Sequence, residues 1–101
     1  MARTTNRPLE THAERSGYAE TGPASEVDAL VRAFTRRFRG RLRAERFGTT
    51  GEGRPLWMLA ASDDGALTPD KARRRGRPVV FALAGIHPGE IDGKDAGFQL
   101  L

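Results

Sequence analysis

The clearest periodic pattern of the chain is a stripe of apolar residues between positions 26 and 39. They recur every three or four positions, which places them on one face of an α-helix: Val27, Leu30, Val31, Phe34 and Phe38. Ser25 followed by Asp28 has the spacing of an N-terminal capping box, and Gly40 supplies a C-terminal stop. The pattern therefore predicts a helix over residues 26–39 whose apolar face belongs to the core.

Two apolar segments separated by a polar, glycine-containing loop follow this helix. The first, residues 42–48, is weakly patterned, and the second, residues 56–61, is apolar throughout. The loop between them contains Gly51 and Gly53, which tolerate positive φ. This arrangement predicts an antiparallel hairpin at one side of a sheet. Residues 68–76 then predict a short helix, with Thr68 as its cap.

The longest uninterrupted apolar run is Val79–Ala84, bounded by Pro78 and Gly85. A run of this length predicts a strand that is buried on both faces, as in a parallel sheet. Together with the hairpin and the helices, it predicts an α/β fold: a mixed sheet with flanking helices.

A second helix is predicted after residue 90, with one apolar face formed by Ile91, Phe98 and Leu101. Gly93 and Gly97 permit it to approach a sheet closely. The apolar pattern stops at the end of the sequence without a helix cap. We therefore expect the sequence to be a truncated, N-terminal part of a larger domain.

Residues 1–24 lack periodicity and predict a flexible leader, so that the domain portion comprises residues 25–101. His12 lies in this leader between Thr11 and Ala13, and we interpret it as a solvated residue of the tail. Because it precedes the domain, His12 is not expected to serve as a metal ligand.

Composition narrows the class of protein. The 101 residues contain no cysteine, which excludes a disulfide framework and thiolate metal ligands. No apolar run has the roughly 18 to 20 residues of a membrane span, and no secretory signal is visible. These features predict a cytoplasmic protein that does not bind membranes, although they leave secretion open. The oligomeric state is not predicted.

The net charge of +4 raises the alternative of nucleic-acid binding. The densest basic cluster contains Arg73, Arg74, Arg75 and Arg77. No aromatic residues are interleaved with it to stack on bases, so we favour a solvated loop and predict no nucleic-acid partner.

The candidate chemistry lies just beyond the predicted buried strand, where His87 and Glu90 are separated by two residues. In open α/β sheets, ligands collect at the carboxyl ends of strands. Pro88 disfavours the helical conformation for His87, and Gly89 permits a sharp change of direction. Imidazole and carboxylate suit zinc. The alternative is a histidine packed at the sheet edge and a glutamate at a helix N-terminus; the two residues alone do not decide between these interpretations.

Two segments resemble a known family. Residues 85–97, Gly-Ile-His-Pro-Gly-Glu-Ile-Asp-Gly-Lys-Asp-Ala-Gly, resemble the first zinc-binding motif of M14-type metallocarboxypeptidases. Residues 47–57, Phe-Gly-Thr-Thr-Gly-Glu-Gly-Arg-Pro-Leu-Trp, resemble the segment between the first two strands of those proteins. The resemblance implies a zinc carboxypeptidase that binds one Zn²⁺ through His87 and Glu90. It also implies a peptide or peptide-like substrate, hydrolysed at a C-terminal amide.

The sequence departs from the family pattern at several points. Thr50 replaces the usual serine, and Gly89 stands where digestive-type members carry a substrate-contacting arginine. The third zinc ligand, the substrate-binding arginine and the general base have no matching position, so we expect this chain alone to be inactive, with the base supplied downstream. Three alternatives remain open: a related zinc deacylase resembling aspartoacylases, a non-catalytic binding module of the same fold, and an arginine-rich nucleic-acid binder.

Overall fold

The computed structural model describes residues 9–101, which form four helices and one two-stranded sheet. The elements in chain order are α1 (His12–Arg15), α2 (Ala24–Arg37), β1 (Leu42–Thr49), β2 (Pro55–Ala61), α3 (Pro69–Arg74) and α4 (Asp92–Leu100). They belong to two compact units. One contains the described residues up to Ala33 together with Ala82–Leu101, and the other is Phe34–Phe81.

Helix α2 carries the predicted apolar stripe. Leu30, Val31 and Phe34 are buried, which confirms the prediction that this face is core. Because α2 begins at Ala24, Ser25 lies inside the helix and the predicted Ser25 capping box is wrong. Gly40 lies three positions after the last residue of α2, Arg37, and has φ +85°, a conformation that favours glycine.

The hairpin is confirmed. Strands β1 and β2 pair antiparallel from Leu42 opposite Ala61 to Thr49 opposite Pro55. The register shifts between Arg46 and Gly48, so the residue between them, Phe47, forms a bulge. Of the two loop glycines, Gly53 has a positive φ of +82°, and its amide donates to the carbonyl of Thr50 at 2.9 Å.

Helix α3 is also confirmed, with the cap that the sequence predicts. The Thr68 hydroxyl accepts a hydrogen bond from the Lys71 amide at 3.2 Å, and Pro69 occupies the first helical position. This satisfies one of the amides that a helix N-terminus otherwise leaves unpaired. Gly76, with φ +64°, follows the end of the helix.

The loop between β2 and α3 is organised by the carboxylate of Asp64. Asp64 accepts from the Ser62 hydroxyl at 2.7 Å and from Arg77 at 3.0 Å. These two hydrogen bonds, in that order, lower the pKa of Asp64 to about 2. The basic cluster is therefore partly paired with acids: Arg73 contacts Asp70, and Arg75 and Arg77 contact Asp64.

The predicted buried strand at Val79–Ala84 is wrong for this chain. Residues 78–86 are assigned to no helix or strand, and Val79, Val80 and Phe81 are 77%, 90% and 78% exposed. A strand needs a neighbour to accept and donate its backbone hydrogen bonds. Within residues 9–101, β1 and β2 pair only with each other, and no described strand lies beside this run. The α/β class itself is confirmed, because helices accompany a sheet in the described residues.

Part of the predicted leader falls within the described residues. Thr11 caps α1 reciprocally with Glu14, forming a capping box, and Thr11 is fully buried. Gly17 and Tyr18 then both have positive φ, 67° and 66°, and turn the chain after α1. Residues 1–8 lie outside the described part of the chain. Flexibility over residues 1–24 and the domain boundary at 25 stay predictions.

The helices offer no membrane span. Among the residues that the structure describes, no helix combines the length and the hydropathy needed to cross a bilayer. The cytoplasmic location stays a prediction.

Candidate metal-binding turn

His87 and Glu90 stand at the two ends of a tight turn. The Glu90 amide donates to the His87 carbonyl at 3.2 Å, and Gly89 has φ +90°. This hydrogen bond, with proline at the second position and a positive-φ glycine at the third, is the pattern of a type II β-turn. The residues Pro88 and Gly89 therefore favour this turn by themselves, without contacts to distant parts of the chain.

The turn brings the two predicted ligand side chains together. Nδ1 of His87 lies 3.0 Å from Oε1 of Glu90, and the His87 amide donates to Oε2 at 2.8 Å. The carboxylate of Glu90 thus contacts both the ring and the backbone amide of His87, three residues earlier. The two side chains therefore meet, although not at the end of a strand as expected, and their assignment as metal ligands stays a prediction.

The hydrogen bonds also affect the protonation of the carboxylate. The ring hydrogen bond from His87, followed by the backbone one, holds the pKa of Glu90 below its ordinary value. Because a carboxylate can only accept, the ring nitrogen facing it carries the proton in this arrangement. Glu90 is therefore ionised at neutral pH, which is the form that binds cations.

The spacing of the pair can be compared with that required by zinc. Zinc binds imidazole nitrogen and carboxylate oxygen at about 2.0 to 2.2 Å, so two ligands in a tetrahedral shell lie about 3.4 Å apart. The observed 3.0 Å between Nδ1 and Oε1 needs a change of only a few tenths of an ångström. Both side chains are accessible, at 73% for His87 and 55% for Glu90. In donor type, spacing and access the pair fits zinc.

His87 and Glu90 are joined by no third candidate metal ligand in the described part of the chain. Among residues 9–101, no group of three or more His, Cys, Asp or Glu side chains is placed to hold a metal ion. His12 is engaged elsewhere, with Nε2 lying 2.7 Å from Oε1 of Glu20. A catalytic zinc commonly has three protein ligands, so the described residues supply an incomplete shell.

The turn lies between a segment without regular secondary structure and helix α4. An ideal Cβ at Gly93 would lie 2.9 Å from the Cβ of Ala84, so glycine permits α4 to approach this segment closely. An open pocket of about 440 Å³ lies here and is lined by residues 83–86 and 89–93, Glu90 among them. Of the predicted apolar face of α4, only Phe98 is buried, whereas Ile91 and Leu101 are 40% and 38% exposed.

Sequence reasoning did not single out Thr21, Lys94 and Asp95, which interact beside the turn. The Thr21 hydroxyl donates to Oδ2 of Asp95 at 2.9 Å and accepts from Nζ of Lys94 at 2.8 Å. The sequence does contain one indication of this interaction, the charged dipeptide Lys94-Asp95 between the glycines of α4. It contains no indication that Thr21, more than seventy positions earlier, is the partner of the dipeptide.

Residues 50–54 of the second motif, which comprises residues 47–57, form the loop of the hairpin. The Thr50 hydroxyl accepts from the Arg54 amide at 3.0 Å, so threonine retains a hydroxyl role at this position. Arg54 also pairs with Glu52 at 3.0 Å. These contacts stabilise the loop conformation and do not by themselves define a ligand site.

A family model of zinc carboxypeptidases, peptidase M14, matches residues 27–101. The match covers more than half of the chain, and the chain belongs to this family. The resemblance drawn from the two sequence motifs is thereby confirmed. Neither the curated proteins nor the solved structures contain a significant match to the chain.

Proposed function

We propose that the chain contributes two zinc ligands, His87 and Glu90, to a metallocarboxypeptidase that hydrolyses C-terminal amides of peptides or peptide-like substrates. The observation that supports this most is the 3.0 Å approach of Nδ1 to Oε1 within a turn that belongs to the family match. The ordinary packing alternative, a histidine buried at a sheet edge, is disfavoured because both side chains are exposed.

In this proposal, the residues of the turn hold the cation and set its position. Nδ1 of His87 would bind the cation once its proton has moved through solvent to Nε2, while Glu90 would contribute a carboxylate that is already ionised. The type II turn fixes both donors before binding, which reduces the entropy lost on ligation. A zinc ion held by His87 and Glu90 would act as a Lewis acid on the scissile carbonyl and would lower the pKa of a water molecule to about 7.

The proposal assigns no general base to this chain. A base must lie within hydrogen-bond reach of the water that it activates. Among the described residues, no further carboxylate or imidazole joins His87 and Glu90 in a metal-binding group. We therefore expect the chain alone to release no C-terminal residue from peptides, even with zinc present.

Zinc titration of the chain, followed by calorimetry and by the NMR signals of the histidine rings, tests the ligands. We expect weak one-to-one binding that is lost in His87→Ala and in Glu90→Gln. His12→Ala is the matched control, because it removes the other histidine, which pairs with Glu20, and should leave binding unchanged.

Two results would contradict this assignment. Zinc binding that survives His87→Ala but is lost in His12→Ala would move the site away from the turn. Tight binding that depends on His87 would show that the chain already has a full set of ligands, contrary to the incomplete shell proposed here.

The deacylase alternative is distinguished by substrate. In a protein that carries this chain together with the remaining family residues, we expect hydrolysis of peptides and not of N-acyl amino acids. Substitution of His87 by alanine should abolish either activity, so the substrate preference is the informative readout. The reverse preference would favour the deacylase.

A further inference from the structure

The segment Thr11–Gly22, called the strap below, joins helix α2 to the first turn of helix α4. At one end, the His12 amide donates to Oε2 of Glu26 in α2 at 2.6 Å. At the other end, Thr21 bonds to Asp95 and Lys94, and Nζ of Lys94 also reaches the Gly22 carbonyl at 3.4 Å. The strap lies before residue 27, where the family match begins.

The contacts of Thr21 are placed where they can constrain the start of α4. The side chains of Lys94 and Asp95 are only 21% and 14% exposed, so water competes weakly for them. Oδ1 of Asp95 lies 3.2 Å from Nζ of Lys94 without hydrogen-bond geometry, which leaves the Thr21 hydroxyl as the hydrogen-bonding partner of this carboxylate through Oδ2. Hydrogen bonds to charged, partly buried groups are stronger than those between neutral ones.

Helix α4 lacks the usual means of anchoring its N-terminus. Ile91 occupies the N-cap position and makes no side-chain capping hydrogen bond. The first turn is closed by the Asp95 amide, which donates to the Ile91 carbonyl at 3.3 Å. Asp95 is thus held both by its own helix and by Thr21. The strap contacts the first turn in a different way from a capping residue, through the side chains of Lys94 and Asp95 and not through the backbone amides.

Glu90 lies two residues before α4, so the anchoring bears directly on the metal-binding turn. The side chains of His87 and Glu90 contact each other and are otherwise exposed, and the placement of the turn therefore depends on the elements that flank it. On one side, Gly93 of α4 packs against Ala84. On the other, the first turn of α4 is tied to Thr21.

We infer that Thr21 is a positioning residue for the metal-binding turn, acting through Lys94 and Asp95 at the start of α4. The inference rests on the proposed ligation of zinc by His87 and Glu90. It adds a residue outside the family match to the determinants of the site.

Thr21→Val tests the inference, because it keeps the shape of the side chain and removes both hydrogen bonds. Because the variant loses hydrogen bonds to charged groups, we expect the zinc affinity of the chain to fall about tenfold. Thr21→Ser retains the hydroxyl and should restore the affinity. Tyr18→Phe is the matched control: it removes the contact between the Tyr18 hydroxyl and Gln99, which joins the strap to the opposite end of α4. We expect Tyr18→Phe to bind zinc as the unmodified chain does.

A second readout requires no metal. Hydrogen exchange of the Asp95 amide and the ¹⁵N shift of His87 Nδ1 are measured by NMR in the metal-free chain. Thr21→Val should accelerate exchange at Asp95 about tenfold and should shift the Nδ1 signal, while Tyr18→Phe changes neither. If Thr21→Val unfolds the chain, as judged by circular dichroism, Lys94→Met replaces it in the test, because it removes the Lys94 half of the contacts that Thr21 makes with α4.

The outcomes separate the inference from the function on which it rests. Unchanged zinc affinity and unchanged Asp95 exchange in Thr21→Val would overturn the role of Thr21 and leave the proposed ligands intact. An unmodified chain in which zinc does not perturb His87 would overturn the proposed function. In that case the metal-free measurements still decide whether Thr21 constrains the turn.

Discussion

The chain contains two runs of six apolar residues, Leu56–Ala61 and Val79–Ala84, of which only the first is part of a sheet. The first forms β2, paired along its length with β1. The second forms no strand, and its Val80 is 90% exposed. Their compositions are equally suited to a sheet. The difference shows that apolar character selects a strand only where a partner backbone is available to pair with it.

The partner of the first run is close in sequence. A loop of five residues, 50–54, connects β1 to β2 and is held by the Thr50 amide, which donates to the Arg54 carbonyl at 2.8 Å. Closing so short a loop costs little conformational entropy. Among the described residues, no comparable partner flanks the second run, because helix α3 precedes it and the turn from His87 to Glu90 follows it. Its apolar side chains therefore remain accessible among the described residues.

The largest expected effect comes from a proline placed in each run. Met58→Pro removes a backbone donor inside the hairpin and should cost about 3 kcal/mol in free energy of unfolding. Val80→Pro, at an exposed and unpaired position, should change it by less than about 0.5 kcal/mol. Urea denaturation of both variants measures the difference. Equal losses would mean that Val79–Ala84 is paired in solution, which would reverse the comparison.

A glycine pair in α4 tests the approach of the unpaired run to this helix, which brings Ala84 close to Gly93. Gly97→Ala has open space and should stabilise the chain by about 0.5 to 1 kcal/mol, the difference in helix propensity. Gly93→Ala places a methyl 2.9 Å from Ala84 Cβ and should lose that gain, because the contact leaves no room without a backbone shift. Thermal unfolding of the two variants provides the measurement. If both stabilise equally, α4 does not pack on Ala84.

The smallest effect concerns the loop that follows the paired run. The pKa of Asp64 falls from 3.8 to about 2 on folding, so its interactions stabilise the chain above pH 4 and are lost as the pH falls towards 2. Asp64→Asn should therefore flatten the dependence of stability on pH in this window. Asp63→Asn, a neighbouring and more exposed carboxylate, is the control. A pH dependence that is unchanged in Asp64→Asn would show that Ser62 and Arg77 do not hold the carboxylate.

Much of the site was predictable because it is local. Histidine, proline, glycine and glutamate at consecutive positions specify a type II turn whose ends meet, and the 3.0 Å contact follows from that turn. The Thr68 cap and the hairpin are readable for the same reason. The contact of Thr21 with Asp95 could not be predicted, since no sequence pattern relates two residues so far apart in the chain. The start of α2 was predicted two residues too late, because serine is common both at the N-cap position and in the first turn of a helix.

By itself, the sequence determined the family, the hairpin, helix α3 and the turn that brings His87 to Glu90. Each depends on interactions between residues a few positions apart, whose geometry the intervening backbone largely dictates. Only the tertiary structure decided that Val79–Ala84 stays unpaired and that Thr21 anchors the first turn of α4. Those outcomes depend on which distant backbone or side chain is within reach, and burial and hydrogen bonding between distant segments are properties of the folded chain as a whole.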